Sequence, residues 1–266
     1  MMKTLLVALA SLTIVSAQTQ PWMKTVNSQE LGPYRNLKPI ALTFSLSWKG
    51  LLRAGKTTFE FGRPDPKSKH NLIGKAYGGS TGWARSLYPY KHNFYGVMSK
   101  YTWKPKYFKA WEDDGDETKT TIVTYGNNKA YSTETTRNKE TGKVVGTPKK
   151  HRYEFNPLYD FMSAMMYFRS QELKKGDVHR VVIHPGNYPY LVTGTVTGYD
   201  KHKGYQCAKL DLKLEKINRD MTLKKYDKMK KATFWISLDK DRIPVELRTK
   251  IFIGDVRATM IEKKYL

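Results

Sequence analysis

The chain has 266 residues, and 47 Lys+Arg against 24 Asp+Glu give it a formal net charge of +23. Such a field disfavours cationic partners and favours anionic ones such as acidic glycans, lipopolysaccharide phosphates, phospholipid surfaces or nucleic acid, although it equally serves plain solubility. Cys207 is the single cysteine, so an intrachain disulfide is excluded and stability must come from a hydrophobic core.

Residues 1–17 have the form of a secretory signal peptide. Lys3 supplies the positive start, residues 5–15 the apolar centre, and Val15-Ser16-Ala17 the small-residue cleavage site. The apolar run is short for a bilayer span, and no later stretch is long enough for one. Export makes nucleic acid the least favoured anionic partner. Residues 18–39 hold Gln, Pro, Asn and Gly with no apolar period and read as a flexible leader. Residues 40–266 read as a single domain, long enough to bury roughly 70–75% of its unfolded surface.

Strand patterns dominate from Ile40. Leu42, Phe44, Leu46 and Trp48 alternate with Thr43, Ser45 and Ser47, Lys49-Gly50 begins a turn, and residues 57–61 return. Residues 78–82, Gly-Gly-Ser-Thr-Gly, match the serine-hydrolase elbow pattern. That motif needs a strand before it and a helix after it, and residues 83–90 show no helical period, so the match reads as a glycine-rich turn. Residues 88–111 interleave aromatics with lysines. Tyr101 and Trp103 alternate with Lys100, Thr102 and Lys104, as in an amphipathic strand; a glycan-binding surface has the same composition. Residues 112–117 read as an acidic hairpin tip, without the spacing of a helix-flanked calcium loop.

One segment breaks the β pattern. Asn156-Pro157 reads as a helix start, with Asn as cap and Pro in the first turn. Leu158, Phe161, Met162, Met165 and Phe168 follow at helical spacing, and Tyr159 and Met166 make the other face apolar. A helix of about 157–169 that is apolar nearly all round is buried or lines a groove. Leu158, Phe161, Met162, Met165 and Met166 are therefore the candidate apolar-groove residues, with core packing as the plainer role for the methionines.

Residues 178–184, 190–199 and 205–217 read as strands. In the last, Ala208, Leu210, Leu212 and Leu214 face one way and Lys209, Asp211, Lys213 and Glu215 the other, a sheet with one dry and one wet face. Residues 219–231 form a basic connector. Arg219, Lys224, Lys225, Lys228, Lys230 and Lys231 are its candidate anion-binding residues, with a solvated loop as the plainer reading. Residues 233–262 give three strands joined by short turns, with Glu246, Arg248 and Lys250 on a wet face. The six histidines show no pair with metal-ligand spacing, so neither a metal nor a cofactor is indicated, and no catalytic constellation is evident.

Four segments carry a resemblance: LTFSLSWKGLLRAGKTTFEF, SKYTWKPKYFKAWEDDG, DFMSAMMYFRSQELKKGD and FWISLDKDRIPVELRTKIFIGDVRATM. The more specific parts are Leu-Lys-Lys-Gly-Asp after the helix and the closing Trp-x-Ser-x-Asp-x-x-Arg-x-Pro. In this order, over about residues 42–261, they resemble DUF3108, a family of exported bacterial proteins named as a domain of unknown function. The resemblance implies a mostly antiparallel β fold, a curved sheet or open barrel-like meander with one buried helix. It also implies a periplasmic or envelope location, and it carries over no catalytic residue.

The function these features lead to is a non-enzymatic envelope protein that binds an anionic glycan or lipid headgroup through its basic surface. An apolar-ligand or lipid carrier, holding its cargo between sheet and helix, is the alternative. An uncharacterised hydrolase is a further one.

Overall fold

The computed structural model describes residues 20–26, 30–126, 128–227, 229–251 and 254–266, apart from the side chains of Lys230, Lys231 and Ile251. The signal-peptide reading and Lys228 lie outside the described residues.

A 3-10 turn at Pro21–Thr25 precedes the strands. These begin with β1 (Ile40–Trp48), β2 (Leu52–Asp65) and β3 (Ser68–Ser80), followed by a one-turn helix, α1 (Trp83–Leu87). Next come β4 (Tyr90–Ser99), β5 (Pro105–Asp114), β6 (Glu117–Gly126), β7 (Lys129–Asn138), β8 (Lys149–Glu154) and the two-residue β9 (Leu158–Tyr159). The longer helix α2 (Phe161–Ser170) leads to β10 (Val178–Ile183), β11 (Tyr190–His202), β12 (Tyr205–Ile217) and β13 (Leu223–Lys225). The chain closes with β14 (Met229–Ser237), β15 (Pro244–Ile251) and β16 (Gly254–Tyr265).

All the strands belong to one sheet, ordered β8-β7-β6-β5-β4-β3-β2-β1-β16-β15-β14-β12-β11-β10-β9, with β13 paired to β12. Every pairing is antiparallel except β9 with β10. The two-residue turn at Lys49-Gly50 has positive φ at both positions, which suits the twist of the hairpin it joins. Register shifts in β1, β2 and β14 add the local bends that curl the sheet. The result is the expected open, barrel-like meander.

α2 lies in the trough of the curl. Met162 and Met166 pack with Ile40, Leu42, Phe44, Phe61 and Met98. Ala164, Tyr167 and Phe168 pack with Val181, Val192, Leu210 and Phe234. The sheet makes room with glycines: a Cβ on Gly74 would lie 3.1 Å from Met162, and one on Gly194 would lie 2.9 Å from the Phe168 ring.

The helix begins later than its Asn-Pro signal suggests. Leu158 and Tyr159 stay extended and bridge to Val182 and Ile183. Asp160 is the N-cap, in a capping box in which its carboxylate accepts from the Ser163 N–H at 2.7 Å and the Ser163 hydroxyl accepts from the Asp160 N–H. Burial of both residues under the sheet makes that box decisive.

Two further expectations change. Tyr101 and Trp103 sit in the β4–β5 turn rather than in a strand, and Trp103 folds inward into the core. Glu246 is not on a wet face. It is buried beneath the His202 ring, which stacks on Trp235 at 4.4 Å, and it accepts from Thr259 and Arg248.

The stretch read as a leader is held to the barrel. Gly32 and Tyr34 donate their N–H groups to the Ser170 hydroxyl and carbonyl, and Leu31 and Leu37 pack on the core.

Candidate functional site

The sheet does not close through its ladder. β8 and β9 remain edges, and the curl is sewn by side chains instead. Tyr125 Oη donates to the His184 carbonyl and Ser132 Oγ to the Gly186 carbonyl, each at 2.7 Å. Asn187 Nδ2 donates to the Glu134 carboxylate at 2.5 Å. Tyr153 Oη reaches the Ile217 and Asn218 carbonyls at 3.2 and 3.0 Å. Burial at this seam, with a smaller contribution from the Asp220 charge, pushes the Tyr153 hydroxyl up to about 12, so it stays a donor at physiological pH.

Beside these stitches the seam opens into a cleft of about 910 Å³. β8 forms one wall. The Phe155 N–H donates to the Asn128 carbonyl, so ladder alternation turns the backbone groups of Lys150, Arg152 and Glu154 outward at the free edge. The other wall is the end of β12 with residues 187–188 and 216–221.

Lys150, Arg152, Lys216 and Arg219 line the cleft against one carboxylate, Glu154. The hydrogen bond from Arg152 holds the Glu154 carboxyl below the usual range. Lys216 Nζ lies 3.3 Å from the centroid of the Tyr188 ring, and His151 packs on the same tyrosine. Two lining residues keep a buried polar atom without a protein partner, Nε2 of His151 and Oδ1 of Asn187. Such atoms are costly unless something meets them. The cleft therefore combines cations, an aromatic platform and vacant hydrogen-bonding capacity.

Of the residues expected in the basic connector, only Arg219 lies in this cleft. Lys224 and Lys225 are exposed on β13, and their backbones pair with Lys216 and Glu215. The connector is thus partly strand, because β13 folds back on β12 and β14 starts at Met229. Lys230 and Lys231 belong to β14, with side chains outside the description. Lys150, Arg152 and Lys216 escape a sequence reading because they sit on two distant strands that only the curl brings together.

The five apolar-groove candidates do not share an opening. Met162 and Met166 are enclosed in one part of the core, and Met165 packs half-buried against it. Leu158 belongs to another part, with Val182 and Leu191. Phe161 is partly exposed and meets Phe59. Close packing of α2 in the trough uses the surface that a groove would need.

The glycine-serine stretch is also structural. Gly78, Gly79 and Ser80 end β3, and α1 follows, so a strand and a short helix do flank the motif, contrary to the sequence expectation. Ser80 Oγ, however, is engaged by the backbone of Tyr90, accepting from its N–H at 3.0 Å. Gly78 and Gly79 face the Lys56 and Tyr90 carbonyls, where a Cβ would come within 2.1 and 2.2 Å.

The description "Protein of unknown function (DUF3108)" matches residues 43–261. The chain belongs to the DUF3108 family. A comparison with curated proteins finds no match. Among solved structures, the chain is similar to a β-barrel-like protein of the DUF1849 domain of unknown function from Brucella abortus. The TM-score is 0.55 at 8% identity, over 86% of this chain and 98% of that one. That likeness supports the open-barrel fold of this DUF3108 chain and nothing about its ligand. A Bacteroides fragilis protein with a YmcC-like fold aligns at a TM-score of 0.33 and 6% identity, over 88% of this chain and 98% of that one. Among the described residues, no helix is long and apolar enough to cross a membrane.

Proposed function

We propose that this DUF3108 chain is an exported, non-enzymatic binding protein that takes an anionic glycan or lipid headgroup in the seam cleft. The observation that carries the reading is the convergence of Lys150, Arg152, Lys216 and Arg219 on one opening that holds a single carboxylate. Cations recognise the phosphate or carboxylate, and Tyr188 offers a ring face to a sugar or glycerol backbone. Nε2 of His151 and Oδ1 of Asn187 have hydrogen-bonding capacity left for hydroxyl groups. The net charge of +23 draws such ligands to the surface from a distance.

Calorimetric titration with a uronic-acid oligosaccharide, lipopolysaccharide and a soluble short-chain phosphatidylglycerol tests the reading and separates its sources. Binding of at least one probe is expected, weakening steeply with salt. It should be lost in the Lys150→Gln/Arg219→Gln double variant. Salt-insensitive binding, or full binding by that variant, overturns the cleft as the site. The carrier alternative lacks comparable support, because the methionines it needs are enclosed in the core.

A further inference from the structure

A second surface lies at the strand ends of β1–β4, on residues other than those of the cleft. The β1–β2 turn presents Leu51 and Leu52, and the β3–β4 connection presents Trp83, Leu87 and Tyr88. All five are exposed; Leu51 is 85%, Tyr88 72% and Leu87 62% accessible.

The two loops are neighbours. α1 packs on the start of β2, and the Thr81 N–H donates to the Ala54 carbonyl at 3.1 Å. The turn is firmly built: the Leu51 N–H donates to the Trp48 carbonyl and the Lys49 N–H to the Asp255 carbonyl. The apolar side chains therefore stand on a fixed base and are not tips that fold inward. Only Ala84 of α1 is buried, so the short helix spends its larger apolar residues on solvent.

The charges around these loops have one dominant sign. Lys49, Arg53, Arg85 and Lys91 are exposed in or beside them, and none is in an ion pair among the described residues. Asp255 lies beside Lys49, and Asp114 and Asp116 flank the turn whose Gly115 meets Pro89, at the far end of the connection. Protruding leucines with a tryptophan and a tyrosine, set among lysines and arginines, match the chemistry of a membrane interface: alkyl chains enter the acyl boundary, aromatic rings sit at headgroup level and cations meet lipid phosphate. A second copy of the chain would bring the same cations face to face.

We propose that Leu51, Leu52, Trp83, Leu87 and Tyr88 form a docking tip by which the protein sits peripherally on an anionic bilayer surface.

The test is flotation of the full chain with vesicles of phosphatidylglycerol and phosphatidylethanolamine, alongside quenching of tryptophan fluorescence by brominated lipid. Wild type should float, and part of it should stay bound at high salt. The Leu51→Glu/Leu87→Glu variant should keep its melting temperature and lose binding by at least about tenfold. Trp83→Phe should remove most of the quenching while leaving flotation largely intact; it is the check that survives if the double variant fails to fold. Failure of wild type to float, equal flotation of the folded double variant, or quenching unchanged by Trp83→Phe would each overturn the proposal. The cleft reading is independent of these outcomes, since the soluble probes and the Lys150 and Arg219 substitutions report on it separately.

Discussion

Arg169 and Arg242 exchange hydrogen bonds across the core: Nε of Arg169 donates to the Arg242 carbonyl at 3.0 Å, and Nε of Arg242 to the Arg169 carbonyl at 3.4 Å. Both side chains are buried. Arg169 also donates to the Asp241 carbonyl, and Arg242 donates to the Gln171 and Glu172 carbonyls while its guanidinium lies over the Tyr34 ring at 4.3 Å. The pair clamps the C-terminal end of α2, where cations complement the helix dipole, to the β14–β15 turn. In that turn Asp239 accepts from Ser237, Asp241 and Arg242, which explains the closing Trp-x-Ser-x-Asp-x-x-Arg-x-Pro sequence as an architectural lock.

Replacing Arg242 with Met is therefore expected to cost about 3 kcal/mol, because it strands buried helix-terminal carbonyls. Arg242→Lys should recover little of this, since an ammonium cannot reach three carbonyls in a planar fork. Urea unfolding of both variants checks the order.

The seam offers a second test. Tyr153→Phe removes the bonds to the Ile217 and Asn218 carbonyls and should cost about 1–2 kcal/mol. Hydrogen exchange should quicken in β8 well before it does in β1 or β16, which lie mid-sheet.

Asp160 and Glu246 should show opposite pH dependence. Burial raises the Asp160 carboxyl to about 6, opposed by its bonds to Ser163. Its folded-state affinity for a proton exceeds the unfolded one, so its contribution to stability is full below about pH 4 and declines as pH rises through about 6. Asp160→Asn, which keeps the cap acceptor, should accordingly compare better with wild type at pH 7.5 than at pH 4.5. Burial also raises the Glu246 carboxyl, but Thr259, Arg248 and His202 outweigh it and hold the group below its usual value. Its contribution is present above about pH 4.5 and lost as pH falls further. Glu246→Gln should thus be less stable than wild type at pH 7 and approach it in acid. Chemical unfolding across pH 3–8 reads both signs.

Gly78→Ala should cost about 3 kcal/mol by pushing β3 off the Lys56 carbonyl, while Gly142→Ala, at an open turn, should cost less and only through its positive φ. Thermal melts of the two variants separate close approach from backbone conformation.

Much of the fold was legible because period-two burial leaves a direct imprint. β12 spans the same residues that its alternation indicated, and the helix body follows its apolar spacing. What failed was local grammar overruled by distant contacts. Asn156-Pro157 is a good helix start in isolation, yet Leu158–Tyr159 is taken by β10. Trp103 alternates like a strand residue, yet a turn drives it into the core. Glu246 reads as a wet-face residue until the ring of His202 covers it. The site was less legible than the fold. Arg219 was visible in a basic run, but Lys150, Arg152 and Lys216 are ordinary strand lysines and arginines until the sheet curls.

The unclosed ladder frees this fold from a geometric bond. In a closed barrel, strand number, tilt and shear must agree, so gaining or losing a strand rebuilds the whole cylinder. Here β8 ends the sheet on one side and β9 on the other, and only side chains span the interval. The width of that interval is set by a few residues such as Tyr125, Ser132 and Tyr153. Related chains can therefore resize the opening one side chain at a time while the remaining strands keep their register.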